Sequence, residues 1–437
     1  MAKPIKNQKS ILAKLKIEKL NPMQESAQLA IHSNAEVVLL SPTGSGKTLA
    51  FMLPLLAGLT TNCNEVQALV LVPTRELAIQ IEQVTRDMGA GFKVNAVYGG
   101  QSFSKDRQNM ATPPAILIGT PGRVADHLRR ETFSTESIRM LVLDEFDKSL
   151  EIGFEAEMSE IFALLPGVKK KVLTSATMHA ALPLFVGLKK PVVLDFLNGQ
   201  EPQLTLKTIV SPQKDKLQTL VEALCHLGNE PGIIFCNYKE SIERISLFLT
   251  EKQIAHGCFH GGMEQEERER TLIKFRNGTH QLLLATDLAA RGIDIPEIRF
   301  IIHYQLPARS HEFIHRNGRT ARMFADGTAY ILKWEEEQLP EFIPDVDVEV
   351  LEKADVPAQT NWCTVMVNGG RNDKISKGDL AGLFFKQGQL GKEQLGVIEL
   401  KQDCAFVAVH RSNVNQLIQL VDGSKLKTRK IRLILLD

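Results

Sequence analysis

The chain is predicted to be α/β, with two parallel-sheet domains in tandem and a small α+β domain at the C-terminal end. Three observations carry this. Short apolar runs alternate with helical periodicity through residues 1–200, the same alternation repeats over 205–345, and the order changes to β-α-β-β-α-β over 362–437. A length of 437 residues suits about three domains of ordinary size.

In the first part the expected strands are Val37–Leu40, Ala68–Val72, Val94–Val97, Ala115–Ile118, Met140–Leu143 and Lys171–Thr174, with helices such as Arg75–Met88 and Glu155–Leu165 between them. Most of these runs are apolar, as a strand buried on both faces of a parallel sheet must be, with Asn95, Lys171 and Thr174 as the polar exceptions. Polar and proline positions over Asn198–Pro212 read as a linker, which closes a first domain at 1–200.

The second domain, 205–345, offers strands at Gly232–Phe235, Leu282–Ala285, Ile298–Ile302 and Gly327–Ile331, and helices at Ser241–Glu251 and Gln265–Arg276. Residues 335–355 are rich in acid and proline. They read as a domain end and a solvated acidic linker, placed at 346–361.

Residues 362–437 hold twelve Lys and Arg against seven Asp and Glu. That net of +5 leaves the other residues at −4 within a total of +1. A basic module on a slightly acidic body suggests a polyanion binder. Strands are expected at Thr364–Val367, Gly396–Leu400, Cys404–Val409 and Lys430–Leu435, and helices at Ser376–Phe385 and Ser412–Leu420, the order of an RNA-recognition fold.

Composition excludes several classes. At 43% hydrophobic and 24% charged the chain has ample core material for a globular protein. The cysteines 63, 225, 236, 258, 363 and 404 form no Cys-x-x-Cys pair and no zinc-spaced cluster, so free thiols in a reducing compartment are expected. Met1–Lys19 has six lysines but no apolar stretch of signal-peptide length, and no run approaches a membrane span. A cytoplasmic protein with no membrane partner is the expectation.

The chemistry begins at Ser41–Thr48, Ser-Pro-Thr-Gly-Ser-Gly-Lys-Thr, between the apolar run Glu36–Leu40 and a helical pattern from Leu49. Strand, glycine loop and helix are the context of a phosphate-binding loop. Thr43, Gly44, Ser45 and Gly46 would cradle phosphates, with the glycines letting the backbone approach and the helix start offering N–H groups. Lys47 would reach the β- and γ-phosphates of ATP, and the Thr48 hydroxyl would ligate Mg²⁺. Ser41 stands where the general pattern has its first glycine.

A second apolar strand, Met140–Leu143, ends in Asp144-Glu145-Phe146-Asp147. Asp144 would hold Mg²⁺, usually through water, and Glu145 would orient and deprotonate the water that attacks the γ-phosphorus.

Loop and tetrad in this order resemble the DEAD-box RNA helicases. The tetrad departs from the family's Asp-Glu-Ala-Asp by Phe146, which bears on packing beside it. The resemblance implies two RecA-like domains with ATP between them. It implies that Gln24 reads adenine, although the first 50 residues hold no Phe, Tyr or Trp to stack on the base. Pro73–Leu77 with Arg75, Gly99-Gly100, and Thr120–Arg123 resemble RNA-contacting segments, so Arg75, Gly100, Thr120 and Arg123 are expected on RNA phosphates. Ser175-Ala176-Thr177 resembles the segment that links hydrolysis to unwinding, with Asp147 as its hydrogen-bond partner when ATP is present. In the second domain Thr286 would contact an RNA phosphate and Asp294 the ATP ribose. His315–Arg322 resembles the segment whose Arg319 and Arg322, three apart and so on one face of a helix, serve as arginine fingers on the γ-phosphate.

The C-terminal segment resembles the RNA-binding domain of DbpA-type bacterial helicases through Val367–Arg371, Lys377–Leu380, Gly396–Ile398, Ala405–Val409 and Lys425–Arg432. An ordinary RNA-recognition sheet stacks bases on several rings. Here only Phe406 is left. Binding is therefore expected through a basic rim of Arg371, Lys374, Lys377, Lys427, Arg429 and Lys430. The resemblance implies structured RNA, ribosomal and from large-subunit assembly, as partner, and a monomeric enzyme. Two other readings stay open: an ATP-gated RNA clamp or chaperone with little turnover, and a DNA translocase.

Overall fold

The computed structural model describes residues 7–42, 44–177, 182, 184–197, 204–287, 298–320 and 327–436. The chain divides near residue 202 into two compact units.

The first unit is a seven-stranded sheet: β1 Glu36–Leu40, β2 Ala68–Leu71, β3 Val94–Val97, β4 Ile116–Gly119, β5 Met140–Leu143, β6 Lys170–Ser175 and β7 Val192–Asp195. The strand order is β3-β4-β2-β5-β6-β1-β7, and every pairing is parallel. Successive residues of one strand feed opposite cores. Val37, Leu39, Ala68 and Val70 pack into one layer, and Val38, Leu69, Leu71 and Leu143 into the other. This two-sided burial is why the strands read as continuous apolar runs.

The second unit opens with a six-stranded sheet: β8 Leu204–Ser211, β9 Gly232–Cys236, β10 Gly257–Phe259, β11 Leu282–Thr286, β12 Phe300–His303 and β13 Gly327–Trp334. Its order is β10-β11-β9-β12-β13-β8, again all parallel. Most of the stretch expected as a linker, Asn198–Pro212, is β8. Its β-branched residues (Thr205, Thr208, Ile209, Val210) favour an extended edge strand, in which Thr205 is exposed while Thr208 and Ser211 are buried. Part of the expected 346–361 linker is also structured. Thr208 N–H donates to the Asp347 carbonyl at 2.8 Å, Glu349 N–H donates to the Thr208 carbonyl at 2.7 Å, and the Glu349 carboxylate accepts from Lys207 at 2.5 Å.

The same unit holds the four-stranded antiparallel sheet β14 Trp362–Val367, β15 Leu395–Leu400, β16 Ala405–His410 and, after a separate hairpin of β17 Lys425–Leu426 and β18 Arg429–Lys430, β19 Leu433–Leu436. The sheet order is β15-β16-β14-β19. The expected strand Lys430–Leu435 is thus split, its basic start belonging to the hairpin. Cys363, Val365, Val367, Val407 and Val409 face the helices Lys377–Lys386 and Val414–Val421.

The opposite face of this sheet packs on the helix Gln265–Arg276 and the turn after it. Thr364 is fully buried there. Its Oγ1 accepts from Asn277 Nδ2 at 3.1 Å and lies 2.8 Å from Thr279 Oγ1. Beside them Arg276 meets Glu399 at 2.8 Å, and Lys401 meets Glu399 at 2.7 Å and Glu269 at 2.5 Å. Burial works to raise the Glu399 carboxyl, but Arg276 and Lys401 hold it below its usual range. Phe406, the ring left for base stacking, is only 5% exposed.

Candidate functional site

Strand order brings the candidates of the first unit to one edge. The phosphate loop leaves β1, the tetrad leaves β5, and Ser175–Thr177 ends β6, the strand between them. All run parallel, so all three features lie at the carboxyl ends of neighbouring strands, where open α/β sheets bind ligands.

In the loop, Gly44 and Gly46 have φ of 79° and 86°, conformations that disfavour a side chain. A Cβ on Gly46 would also come within 2.4 Å of Gln24 Nε2. Gln24 is buried in the capping box of the helix Pro22–Ser33. Its Oε1 accepts from Asn21 N–H at 3.0 Å, and its Nε2 donates to the Gly46 carbonyl at 3.2 Å. Each group keeps capacity for one more bond, as an adenine-reading amide needs. Ser41 donates to Ser45 Oγ at 2.7 Å, which stiffens the loop where a glycine was expected. The buried Lys47 ammonium donates to the carbonyls of Ser41 and Pro42 at 2.7 and 2.8 Å. Thr48 follows on the first turn of the helix Lys47–Ala57. Thr43 lies outside the described residues.

At the tetrad, Asp144 and Glu145 are 3% and 7% exposed. Burial, then repulsion from Glu145, pushes the Asp144 carboxyl up to about 6, against the pull of the Thr174 hydroxyl and of Lys47. Glu145 occupies the left-handed region at φ 50°. Among the described residues Glu145 Oε2 and Asp147 Oδ1 are buried without a hydrogen-bond partner. A crowded carboxylate pair with orphaned oxygens, facing a lysine and a glycine cradle, fits a bound cation and a polyphosphate. Thr177 Oγ1 donates to Asp147 Oδ2 at 3.0 Å, which links the Ser-Ala-Thr segment to the tetrad. Phe146 is 1% exposed and packs in the core with Leu71, Leu143 and Met158, so its ring is absorbed below the tetrad.

The remaining candidates of this unit lie on the other half of the same edge, after β2, β4 and β3. Arg75 opens the helix Arg75–Met88, and a Cβ on Gly100 would come within 2.6 Å of its Nη1, so its guanidinium lies against Gly99-Gly100. Thr120 starts the helix Pro121–Arg129. The Arg123 guanidinium is held by buried Asp106 at 2.7 Å and by the Gln101 carbonyl at 3.1 Å, and it lies over the Phe103 ring.

In the second unit Thr286 ends β11. Asp294 and Arg322 lie outside the described residues. The helix carrying His315 runs Ser310–Asn317, and Arg319 falls in the turn beyond Gly318. The premise that Arg319 presents itself from a helix face is therefore corrected: Gly318 ends the helix first. Arg319 is buried, and its N–H donates to the Arg316 carbonyl at 3.1 Å. The sequence reading passed over Arg316, which is 1% exposed. It forms a two-pronged pair with Asp287 at 2.6 Å in each arm, and donates to the Gln305 carbonyl at 2.7 Å and Asn237 Oδ1 at 2.8 Å. Both partners were in view, Arg316 inside the His315–Arg322 run and Asp287 directly after Thr286, but the pairing is invisible in one dimension.

On the C-terminal rim Lys374, Lys377, Lys427, Arg429 and Lys430 are exposed, and Arg371 is half-buried. They come together because the hairpin β17–β18 lies beside the turn Arg371–Asp373. Arg429 pairs with Asp373 at 2.9 Å, and Lys427 with Asp379 at 3.0 Å.

A family model described as DEAD/DEAH box helicase matches residues 21–183, one described as helicase conserved C-terminal domain matches 215–324, and one described as DbpA RNA binding domain matches 364–434. The chain is 30% identical to the ATP-dependent RNA helicase DbpA of Escherichia coli over 95% of its length and 94% of that protein. It is 28% identical to DbpA of Bacillus subtilis over 94% of its length and 93% of that protein. Among solved structures it resembles S. cerevisiae Dbp5 bound to RNA and ADP BeF3, at a TM-score of 0.68 and 28% identity over 75% of this chain and 86% of that one. Mss116p bound to ssRNA and AMP-PNP gives a TM-score of 0.68 at 26% identity, over 76% of this chain and 73% of that one.

Proposed function

The chain belongs to the DEAD-box ATP-dependent RNA helicases and carries a DbpA-type RNA-binding domain, and from that premise we propose that it unwinds or remodels structured RNA locally, with ribosomal RNA of the assembling large subunit as its substrate. As an RNA helicase it hydrolyses ATP. Lys47 is assigned to the β- and γ-phosphates, Gln24 to the adenine edge and Asp294 to the ribose. Bound Mg²⁺, held by Thr48 and Asp144, would supply neutralising charge among the phosphates. Glu145 takes the proton of the attacking water at its carboxylate. Arg319 and Arg322 stabilise the charge that grows on the γ-phosphate, which makes closure of the second unit on ATP favourable.

RNA is held by its backbone. Arg75, Gly100, Thr120 and Arg123 are assigned to one stretch of phosphates and Thr286 to another, with Arg371, Lys374, Lys377, Lys427, Arg429 and Lys430 gripping a structured flank. A cytoplasmic monomer is the state in which this occurs. Among the described residues no helix is long and apolar enough to cross a membrane.

The observation that supports this reading best is the strand order. It sets the nucleotide candidates after β5, β6 and β1 and the RNA candidates after β2, β4 and β3, side by side on one edge. The test is phosphate release and strand displacement with a structured ribosomal RNA fragment, an unstructured RNA of equal length, and DNA. Strongest stimulation by the structured fragment is the expected result. Equal stimulation by DNA would overturn the substrate, and displacement without phosphate release would overturn the motor.

A further inference from the structure

Thr174 is the next-to-last residue of β6, the strand between the one that leads into the phosphate loop and the one that leads into the tetrad. It is fully buried and pairs in register with Leu39 of β1. Packing alone does not call for a hydroxyl here. Valine suits a central strand as well and has no polar atom to satisfy.

The hydroxyl makes two bonds, both to the tetrad. Thr174 Oγ1 donates to Asp144 Oδ1, and it accepts the Glu145 backbone N–H at 3.1 Å. A hydroxyl has one proton, so donating to the carboxylate leaves its lone pairs for the amide, and the two bonds fix each other's direction. The second bond also anchors a strained residue. Glu145 holds φ 50° without being glycine, a conformation that persists only where its surroundings enforce it. One side chain from a neighbouring strand thereby orients the carboxylate assigned to the metal and the backbone that aims the carboxylate assigned to the water.

We propose that Thr174 is a positioning residue for ATP hydrolysis, acting through Asp144 and the Glu145 backbone. The inference rests on the roles given above to those two residues. It differs from the Thr177–Asp147 contact, which engages the opposite end of the tetrad.

The test compares Thr174→Val, Thr174→Ser and Glu145→Gln in the full chain. Thr174→Val is expected to lower RNA-stimulated kcat by about 10- to 100-fold, as loss of a bond to a charged group does. The KM for ATP should move less than about twofold, and the Mg²⁺ concentration for half activation should rise. Without Mg²⁺ or nucleotide, amide exchange in the peptide spanning Leu143–Phe146 should speed up by about tenfold. Thr174→Ser, which keeps the hydroxyl, should restore kcat to within about threefold of the parent. Three results overturn the proposal: Thr174→Val with parental kcat and exchange, Thr174→Ser as damaged as Thr174→Val, or Thr174→Val unfolded while Thr174→Ser is folded, which makes the hydroxyl structural. Glu145→Gln separates the two layers. Should it keep turning over, the base assignment fails; should it be inert while Thr174→Val behaves as the parent, only the Thr174 assignment fails.

Discussion

Arg316 and Asp287 form a two-pronged ion pair, 2.6 Å in each arm, with the guanidinium 1% exposed. The pair ties the end of β11 to the helix that precedes Arg319, and its remaining N–H groups tie in Gln305 and Asn237. Removing the arginine leaves a carboxylate without its partner. Arg316→Ala should destabilise the second unit by about 3–5 kcal/mol, measured by urea denaturation. Arg316→Lys should recover little, because an ammonium cannot reproduce the fork.

Glu145→Gln should abolish turnover while the protein still binds ATP and RNA. The amide keeps the shape and the left-handed backbone but cannot take a proton. Single-turnover phosphate release, paired with equilibrium binding of a fluorescent ATP analogue, checks this. Retained release at the parental rate would remove Glu145 from its role.

Asp144 carries a pH signature. Its carboxyl is raised from 3.8 to about 6 in the folded protein. A raised acid favours the folded state while it is protonated, so its contribution is full below about 4 and is lost as pH rises through about 6. Asp144→Asn should therefore make the metal-free protein more stable at pH 7.5, by about 1–3 kcal/mol, and the gain should vanish toward pH 4. Thermal unfolding of both proteins across that range is the measurement.

Glu399 behaves in the opposite sense. Its carboxyl is held below the ordinary 4.5 by Arg276 and Lys401, against burial. The stability this provides is present above 4.5 and is lost as pH falls through the lowered value. Glu399→Gln should cost about 2 kcal/mol at pH 7 and progressively less in acid, read from the same unfolding curves. A constant cost at every pH would show that the charge is not what holds the two surfaces together.

The rim makes a salt-dependent prediction. Lys427→Gln should weaken binding of a structured ribosomal RNA fragment and lower the slope of log affinity against log salt by about 1. Binding to RNAs of different sequence but the same fold should fall alike, since phosphate contacts carry no sequence information. An unchanged slope would take Lys427 off the RNA.

What was legible in the sequence follows a physical line. Strands buried on both faces announce themselves as apolar runs, and the phosphate loop and tetrad sit where such runs stop. The strands that escaped are at or near edges. β7 is half-exposed along its length, β10 has three residues and begins at Gly257, and β8 is polar enough to pass for a linker. The helix Arg75–Met88 agrees to the residue, because Thr74 caps one end and Gly89, at φ 58°, ends the other. Thr174 and Arg316 escaped for a different reason. Their partners lie some thirty residues away along the chain, at Asp144 and Asp287, and a long-range polar bond leaves no periodic trace.

Thr364 sits in a fully dry spot between Asn277 and Thr279. Its small sheet therefore cannot pivot on the segment before it as a loosely leashed module would. Whatever hangs from its outer margin is carried with the six-stranded sheet as one body.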